Sequence, residues 1–237
     1  MKKLIVAAVA ALASVGAANA ADLPTKAPLA PAPMVAPAFS WTGFYIGVNG
    51  GWAWGHSTFD YNPPDVGHNN DGGLVGGTVG FNYQFAGPWV LGIEADWDWA
   101  HINGSSPCPN PIFSCETKIR SIGTARARGG YAINNLLLYV TGGFAWEDVK
   151  VQTVDLTGGP NPPSGTPTNG TTATHGGWTV GFGAEYALWQ NLSLKLEYLH
   201  ADFGHHDFAI DGGQTVSSRQ REDMVRAGLN WRFGLTP

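Results

Sequence analysis

Charged residues and long apolar runs are both scarce in this sequence. Only 13% of its 237 residues are charged, whereas a soluble domain carries about 25%. Beyond residues 4–18, no stretch approaches the roughly 20 apolar residues that a membrane-spanning helix requires. A helical membrane protein is therefore excluded. The formal net charge of -5 also excludes a nucleic-acid partner, because phosphates demand a basic surface.

Glycine and tryptophan, in contrast, are abundant. The chain has 33 Gly and 10 Trp, an odd combination for a soluble domain of this length. Together with the low charge, it indicates a strand-rich protein with part of its surface in hydrocarbon.

The N-terminal residues have the features of an export signal. Lys2 and Lys3 give a positive start, an apolar run follows, and Ala18-Asn19-Ala20 forms a small-x-small cleavage site. We therefore predict a signal peptide over residues 1–20. Residues 21–40 are rich in Pro and Ala and predict an extended periplasmic leader, which leaves residues 41–237 for the folded domain.

Strict alternation of side-chain type starts at Phe44 and is clearest over residues 89–99. There the odd positions are Trp, Leu, Ile, Ala, Trp and Trp, while the even positions take every charge, at Glu94, Asp96 and Asp98. A period of two is that of a β-strand whose two faces meet different environments. Eight such runs occur, over residues 44–55, 75–85, 89–99, 120–131, 138–147, 178–186, 192–198 and 225–233.

The connections between these runs alternate between short and long. Short turns are predicted near residues 86–88, 133–135 and 189–191, and long loops at 58–73, 101–117, 149–175 and 203–221. If neighbouring strands are antiparallel, all the short turns lie on one rim, as in bacterial outer-membrane barrels. The pattern predicts an all-β fold, an eight-stranded antiparallel up-and-down transmembrane β-barrel in the outer membrane.

The bulky face of each strand must look outward. Eight strands leave an interior just wide enough to be filled by side chains, and rows of Trp would overfill it. An uncharged outer face suits lipid, where a midplane Arg or Lys costs about 2 to 4 kcal/mol. We therefore expect the charges to pair inside a lumen charge network. It comprises Glu94, Asp96, Asp98, Glu147, Glu185 and Glu197 with Arg120, Arg126, Arg128, Lys195, Arg226 and Arg232.

The two ends of the predicted barrel carry a family resemblance. With its exported leader, the start WTGFYIG (residues 41–47) and the end GLNWRF (residues 228–233), the chain resembles the outer-membrane immunogenic proteins of alphaproteobacteria. These are small barrels related to OmpA-like and opacity-type transmembrane domains. The resemblance implies a structural, surface-exposed role in envelope integrity, often as an antigen, with no catalytic residues and no cofactor.

The resemblance also implies partners. These are outer-membrane lipid and lipopolysaccharide and, during biogenesis, the barrel-assembly machinery that recognises a final aromatic residue. In this chain four residues, Gly234 to Pro237, follow Phe233.

Three alternative functions use other features. Some members of the family bind haemin, and His200, His205 and His206 form the densest candidate for haemin or a metal. A small-solute porin is a second alternative, although eight strands leave little room for a channel. An enzyme using Ser217 or Ser218 with a nearby histidine is the third. No spacing singles out those serines, so we predict no enzyme.

Cys108 and Cys115 predict a loop disulfide, because an exported chain passes through an oxidising compartment. So short a ring adds on the order of 2 to 3 kcal/mol. Thiol alkylation of the unreduced, denatured protein should modify neither cysteine, and alkylation after reduction should modify both. Modification before reduction would contradict the bond.

Overall fold

The described part of the chain is built from β-strands. The computed structural model describes residues 39–60, 66–107, 113–157, 165, 167–210 and 214–233. No helix in these residues is long and apolar enough to cross a membrane. The strands are β1 (Gly43–Asp60), β2 (Val66–Phe85), β3 (Trp89–Pro107), β4 (Phe113–Ile133), β5 (Leu136–Asp155), β6 (Pro167–Ala187), β7 (Leu192–Ile210) and β8 (Gln214–Phe233).

The eight strands close into a barrel in chain order, and each neighbouring pair is antiparallel. Phe44 of β1, for example, lies opposite Phe81 of β2 on one side and Phe233 of β8 on the other. Closure pairs the backbone of every strand and leaves no sheet edge, which hydrocarbon requires because it offers the backbone no hydrogen-bond partner. The predicted fold class is confirmed.

The two faces of the sheet differ as the alternation predicts. Phe44, Val140 and Trp99 point outward and expose 66%, 65% and 66% of their surface, whereas Glu94 and Arg226 point inward and expose 4% and 1%. An upper tryptophan girdle runs round the outside, with Trp146 the most covered member. We define this girdle as Trp52, Trp54, Trp97, Trp99, Trp146 and Trp178.

Tight turns join the strands at one rim, which we call the short-turn rim. Ala86, Gly87 and Asn134 have positive φ angles of 45°, 81° and 53°, the left-handed conformation that a tight connection between antiparallel strands uses. The short connections were predicted at these places. Since the short turns of bacterial barrels face the periplasm, the opposite rim, here called the extended rim, faces outside.

The predicted long loops are wrong in extent. β3 continues from Trp99 to Pro107, and β5 continues to Asp155, so most of residues 101–117 and 149–175 form strands, as do most of 58–73 and 203–221. The outer face of these segments carries polar residues because it lies beyond the lipid. The apolar alternation therefore stops, although the ladder of backbone hydrogen bonds continues.

A register shift in β4 corrects one predicted lumen residue. The pairing of β4 with β5 is irregular between Ile119 and Ser121, and that of β3 with β4 between Trp99 and Ile102. A β-bulge of this kind reverses which side chains face inward. Ile119 and Ile122 are both buried inside, and Arg120 is exposed on the outer face. The prediction that Arg120 lies in the lumen is wrong.

Several predictions concern segments that the structure leaves out. The signal peptide, the leader up to residue 38, Cys108 and residues 234–237 all lie outside the described residues. The side chain of Cys115 does too, so the disulfide stays a prediction.

A charge on the lipid-facing surface should destabilise the barrel according to its depth. Val140 faces outward opposite Phe182, between the upper girdle and the short-turn rim, so Val140→Arg should cost about 2 to 4 kcal/mol of unfolding free energy. Ser105 is exposed on β3, six residues beyond Trp99 and opposite Glu116, and Ser105→Arg should cost less than about 0.5 kcal/mol. Denaturant unfolding of both variants in lipid vesicles measures the difference. Equal costs would contradict the assigned membrane depth.

Candidate functional site: the lumen charge network

Alternation along each strand brings the charged side chains of the central lumen together. Glu94, Asp96 and Asp98 occupy successive inward positions of β3. Their cationic neighbours come from β4, β7 and β8, so residues far apart in the chain meet across the barrel. The central network consists of Glu94, Asp96, Asp98, Glu185 and Glu197 with Arg126, Arg128, Lys195, Arg226 and Arg232.

Arg226 of β8 lies among three carboxylates. Its Nη1 atom is 2.8 Å from Asp96 Oδ1 and also contacts Asp98, and its Nη2 atom is 2.6 Å from Glu197 Oε1. The guanidinium presents several fixed donors and stays charged. It therefore connects the acidic face of β3 to β7.

Arg126 and Lys195 converge on Glu94 from opposite sides of the lumen. Arg126 Nη2 lies 2.5 Å from Glu94 Oε1 and 2.8 Å from Asp96 Oδ2, and Lys195 Nζ lies 3.0 Å from Glu94 Oε1. The Tyr45 hydroxyl donates to Glu94 Oε2 at 2.7 Å. Glu94 is thus neutralised although it is almost completely buried.

The short-turn side of the network is organised by Arg128. This guanidinium is 3.1 Å from Glu185 Oε2 and donates to Asn82 Oδ1 at 2.8 Å. The rings of Tyr45 and Tyr139 lie 4.8 Å and 5.1 Å from its central carbon, within cation–π range. Tyr45 follows Phe44, where the alternation begins, so the period of two places it on the inward face, but it does not predict this role.

Glu147 does not join the central network. It is fully buried in the lumen, and the ionisable side chain near it is His175, whose Nδ1 atom is 3.7 Å from Glu147 Oε1. Among the described residues, no Lys or Arg lies within ion-pair distance of it. Glu222, also fully buried, lies at the same end and was missed. Gln220, Glu222 and Met224 alternate on the inward face, and this pattern could have identified Glu222. It was overlooked because residues 203–221 were predicted to be a loop.

An apolar plug closes the lumen at the short-turn rim. Trp41, Val90 and Leu137 pack there with Phe39 against them. The backbone N–H of Trp41 donates to Gln84 Oε1 at 2.8 Å, and Arg232 donates to the Ser40 carbonyl at 3.1 Å. Phe39 and Ser40 therefore belong to the barrel, although the predicted leader included them.

A second apolar layer closes the lumen toward the extended rim. Ile102, Ile119, Ile122 and Leu199 belong to a cluster of buried side chains that also contains Phe203. Each has 2% or less of its surface exposed. The charges of the central network are consequently sealed from water on both sides, and their chemistry is that of mutual neutralisation.

Two of the candidate histidines, His200 and His205, lie apart. His200 Nδ1 is 2.7 Å from Asp223 Oδ1, and its ring packs 5.6 Å from Trp178 on the outer face. His205 is exposed five residues further along β7, about 16 Å at an extended spacing, so the two cannot share a ligand atom. The side chain of His206 lies outside the described residues, as do those of Ser217 and Ser218. No group of metal-ligating residues is found in the described part of the chain.

A closed sheet with an apolar exterior and its charged side chains turned inward defines a transmembrane β-barrel protein. Comparison with known proteins agrees. Residues 7–233 match the family model for the outer membrane protein beta-barrel domain. The chain belongs to this family, which places it in the bacterial outer membrane.

Named relatives narrow the assignment. The 31 kDa outer-membrane immunogenic protein of Brucella melitensis is 36% identical over 98% of this chain and 100% of that protein. The 22 kDa outer membrane protein of Rhizobium leguminosarum is 34% identical over 84% of this chain and 81% of that protein. The predicted resemblance is confirmed. Among solved structures, Neisserial surface protein A aligns with 81% of this chain and 98% of its own at 14% identity and a TM-score of 0.45.

Removing the Arg226 guanidinium should destabilise the barrel, because it leaves uncompensated negative charge in the lumen. Arg226→Met leaves three carboxylates without that partner and should lower the unfolding free energy by about 3 to 5 kcal/mol. The double variant Arg226→Met with Glu197→Met removes one charge of each sign and should lose less than the single variant. Denaturant unfolding in vesicles measures both. A double variant at least as unstable as Arg226→Met would contradict the charge-balance argument.

Proposed function

We propose that this protein is a non-conducting structural barrel that supports the integrity of the outer membrane and displays its extended rim at the cell surface. The observation that carries the proposal is the closed lumen. Because the lumen is closed, the function resides in the barrel wall and its exposed rim, and not in transport through the barrel.

Three stacked layers support a closed lumen. The apolar plug under Trp41 occupies the short-turn end, the ion pairs around Arg226 occupy the middle, and the cluster around Ile122 occupies the extended end. Arg226 and Lys195 each expose only 1% of their surface, which leaves no continuous aqueous path beside them. These contacts argue against the small-solute porin.

The extended rim supports surface display. β3, β4 and β5 continue well beyond the upper tryptophan girdle, which holds them clear of the lipid. Relatives in Brucella are named outer-membrane immunogenic proteins, a name that fits exposure outside the cell. We infer the same exposure for this chain. The separation of His200 from His205 gives the haemin hypothesis no support, and the carboxylates of the central network are held in ion pairs rather than facing a substrate cleft.

Electrical recording tests the closed lumen. The full barrel, inserted into planar bilayers in molar KCl, should produce no regular conductance steps, whereas a general porin inserted in the same membranes should produce them. Heat-modifiable migration on a denaturing gel verifies that the barrel is folded before insertion. Reproducible steps that scale with salt concentration would overturn the proposal.

A further inference from the structure

The cationic side chains of the barrel are divided between two locations. Ten Lys and Arg side chains lie in the described part of the chain, and five of them belong to the central lumen network. The other five lie on β4, β5 and β8 toward the extended rim. They are Lys118, Arg120, Lys150, Arg219 and Arg221.

All five outer cations lie just beyond the upper tryptophan girdle. Arg120 is adjacent to Ser121, the partner of Trp99, and Lys150 is four residues past Trp146. At about 3.3 Å per residue along a tilted strand, four residues rise on the order of 10 Å. Tryptophan marks the boundary between hydrocarbon and headgroups, so these cations lie at headgroup depth.

Three of the outer cations form a basic cluster, which we define as Lys118, Arg120 and Lys150. Lys118 and Lys150 are direct cross-strand partners, an arrangement that is destabilising when both charges are unshielded. The register shift in β4 turns Arg120 outward beside them. Within the described residues, neither Arg120 nor Lys150 has a carboxylate within ion-pair distance. The sheet therefore concentrates positive charge here without supplying enough negative charge.

The neighbouring carboxylates compensate only part of this charge. Glu116 Oε2 is 3.1 Å from Lys118 Nζ and accepts a hydrogen bond from Gln152 at 2.8 Å. That hydrogen bond, together with Lys118, holds the pKa of Glu116 below its ordinary value, so it is ionised at neutral pH. Asp148 accepts from the hydroxyls of Ser121 and Thr174 at 2.9 Å and 2.7 Å rather than from a cation.

The cations on β8 provide an internal comparison. Arg219 Nη2 is 2.7 Å and Arg221 Nε is 3.3 Å from Asp202 Oδ2. This pair lies at a similar height but already has a carboxylate held between its members. The basic cluster differs in having two cations left over.

A polar hollow adjoins the basic cluster. It is an open depression of about 490 Å³, lined by His101, Asn103 and Ser105 of β3 and by Glu116 and Lys118 of β4. Amide and hydroxyl donors beside a cation are suited to a tetrahedral oxyanion, and Arg adds paired donors.

We propose that the basic cluster binds the phosphate groups of lipopolysaccharide in the outer leaflet. The depth fits a lipid headgroup, the excess charge is positive, and the hollow supplies further donors. Phosphate bound here would neutralise the Lys118–Lys150 repulsion and anchor β4 and β5 where they leave the membrane. This binding is independent of the closed lumen, so its failure would leave the conductance result unchanged.

Titration of the folded barrel in neutral detergent tests this site. The ligand arms are lipopolysaccharide, dephosphorylated lipopolysaccharide and inorganic phosphate. Lipopolysaccharide should bind, and binding should weaken as salt is raised. Each surface cation contributes about fivefold to attraction toward an anionic lipid surface. The triple variant K118Q/R120Q/K150Q should therefore weaken binding on the order of 100-fold.

Two single variants serve as matched controls of charge. Arg221→Gln removes an outer cation that is already paired with Asp202, so it should weaken binding less than Arg120→Gln. Glu116→Gln removes the competing carboxylate, so it should tighten binding. Heat-modifiable migration verifies that each variant is folded. If the triple variant fails to fold, Arg120→Gln and Glu116→Gln still decide the question, because their effects have opposite signs.

Three outcomes would overturn the proposal. These are equally tight binding of dephosphorylated lipopolysaccharide, unchanged affinity in Arg120→Gln, and displacement by millimolar inorganic phosphate, which would reassign the cluster to a free anion.

Discussion

Five carboxylates and five cationic side chains neutralise one another inside this barrel, and the closed sheet around them depends on that balance. An interior bounded by eight strands is filled by side chains rather than water, so an uncompensated charge there costs several kcal/mol. Arg226 meets this requirement by bridging Asp96, Asp98 and Glu197. Hydrogen bonds from Tyr45 and other neutral groups satisfy further lone pairs.

The two apolar layers give the ion pairs their environment. With Trp41 packed at one end and Ile122 at the other, the charges are held away from bulk water. In this interior their attraction is stronger than in water, and salt screens it less. The same sealing that strengthens the network obstructs a channel. A structural role therefore follows from the way the lumen solves its electrostatic problem.

The alternation of residues 89–99 predicted both the strand and its inward charges, because a two-residue period survives wherever the two faces meet different surroundings. Prediction failed where that contrast ends. Beyond Trp99 the outer face is polar, and strands were taken for loops. Prediction also failed at Arg120, because a bulge between Ile119 and Ser121 changes which side chains of β4 point inward. A bulge depends on cross-strand pairing, which local pattern does not encode.

By itself, the sequence determined that the protein is a transmembrane β-barrel, since eight amphipathic strands with apolar outer faces are stable only as a closed sheet in lipid. It also determined that the charged residues of the alternating runs, apart from Arg120, lie inside. Only the tertiary structure decided which partners meet: that Arg226 reaches three acids, that Glu147 lies apart near His175, and that Phe39 and Trp41 plug one end. The physical reason is that these contacts cross the lumen, and their geometry depends on the shear and register of the closed barrel.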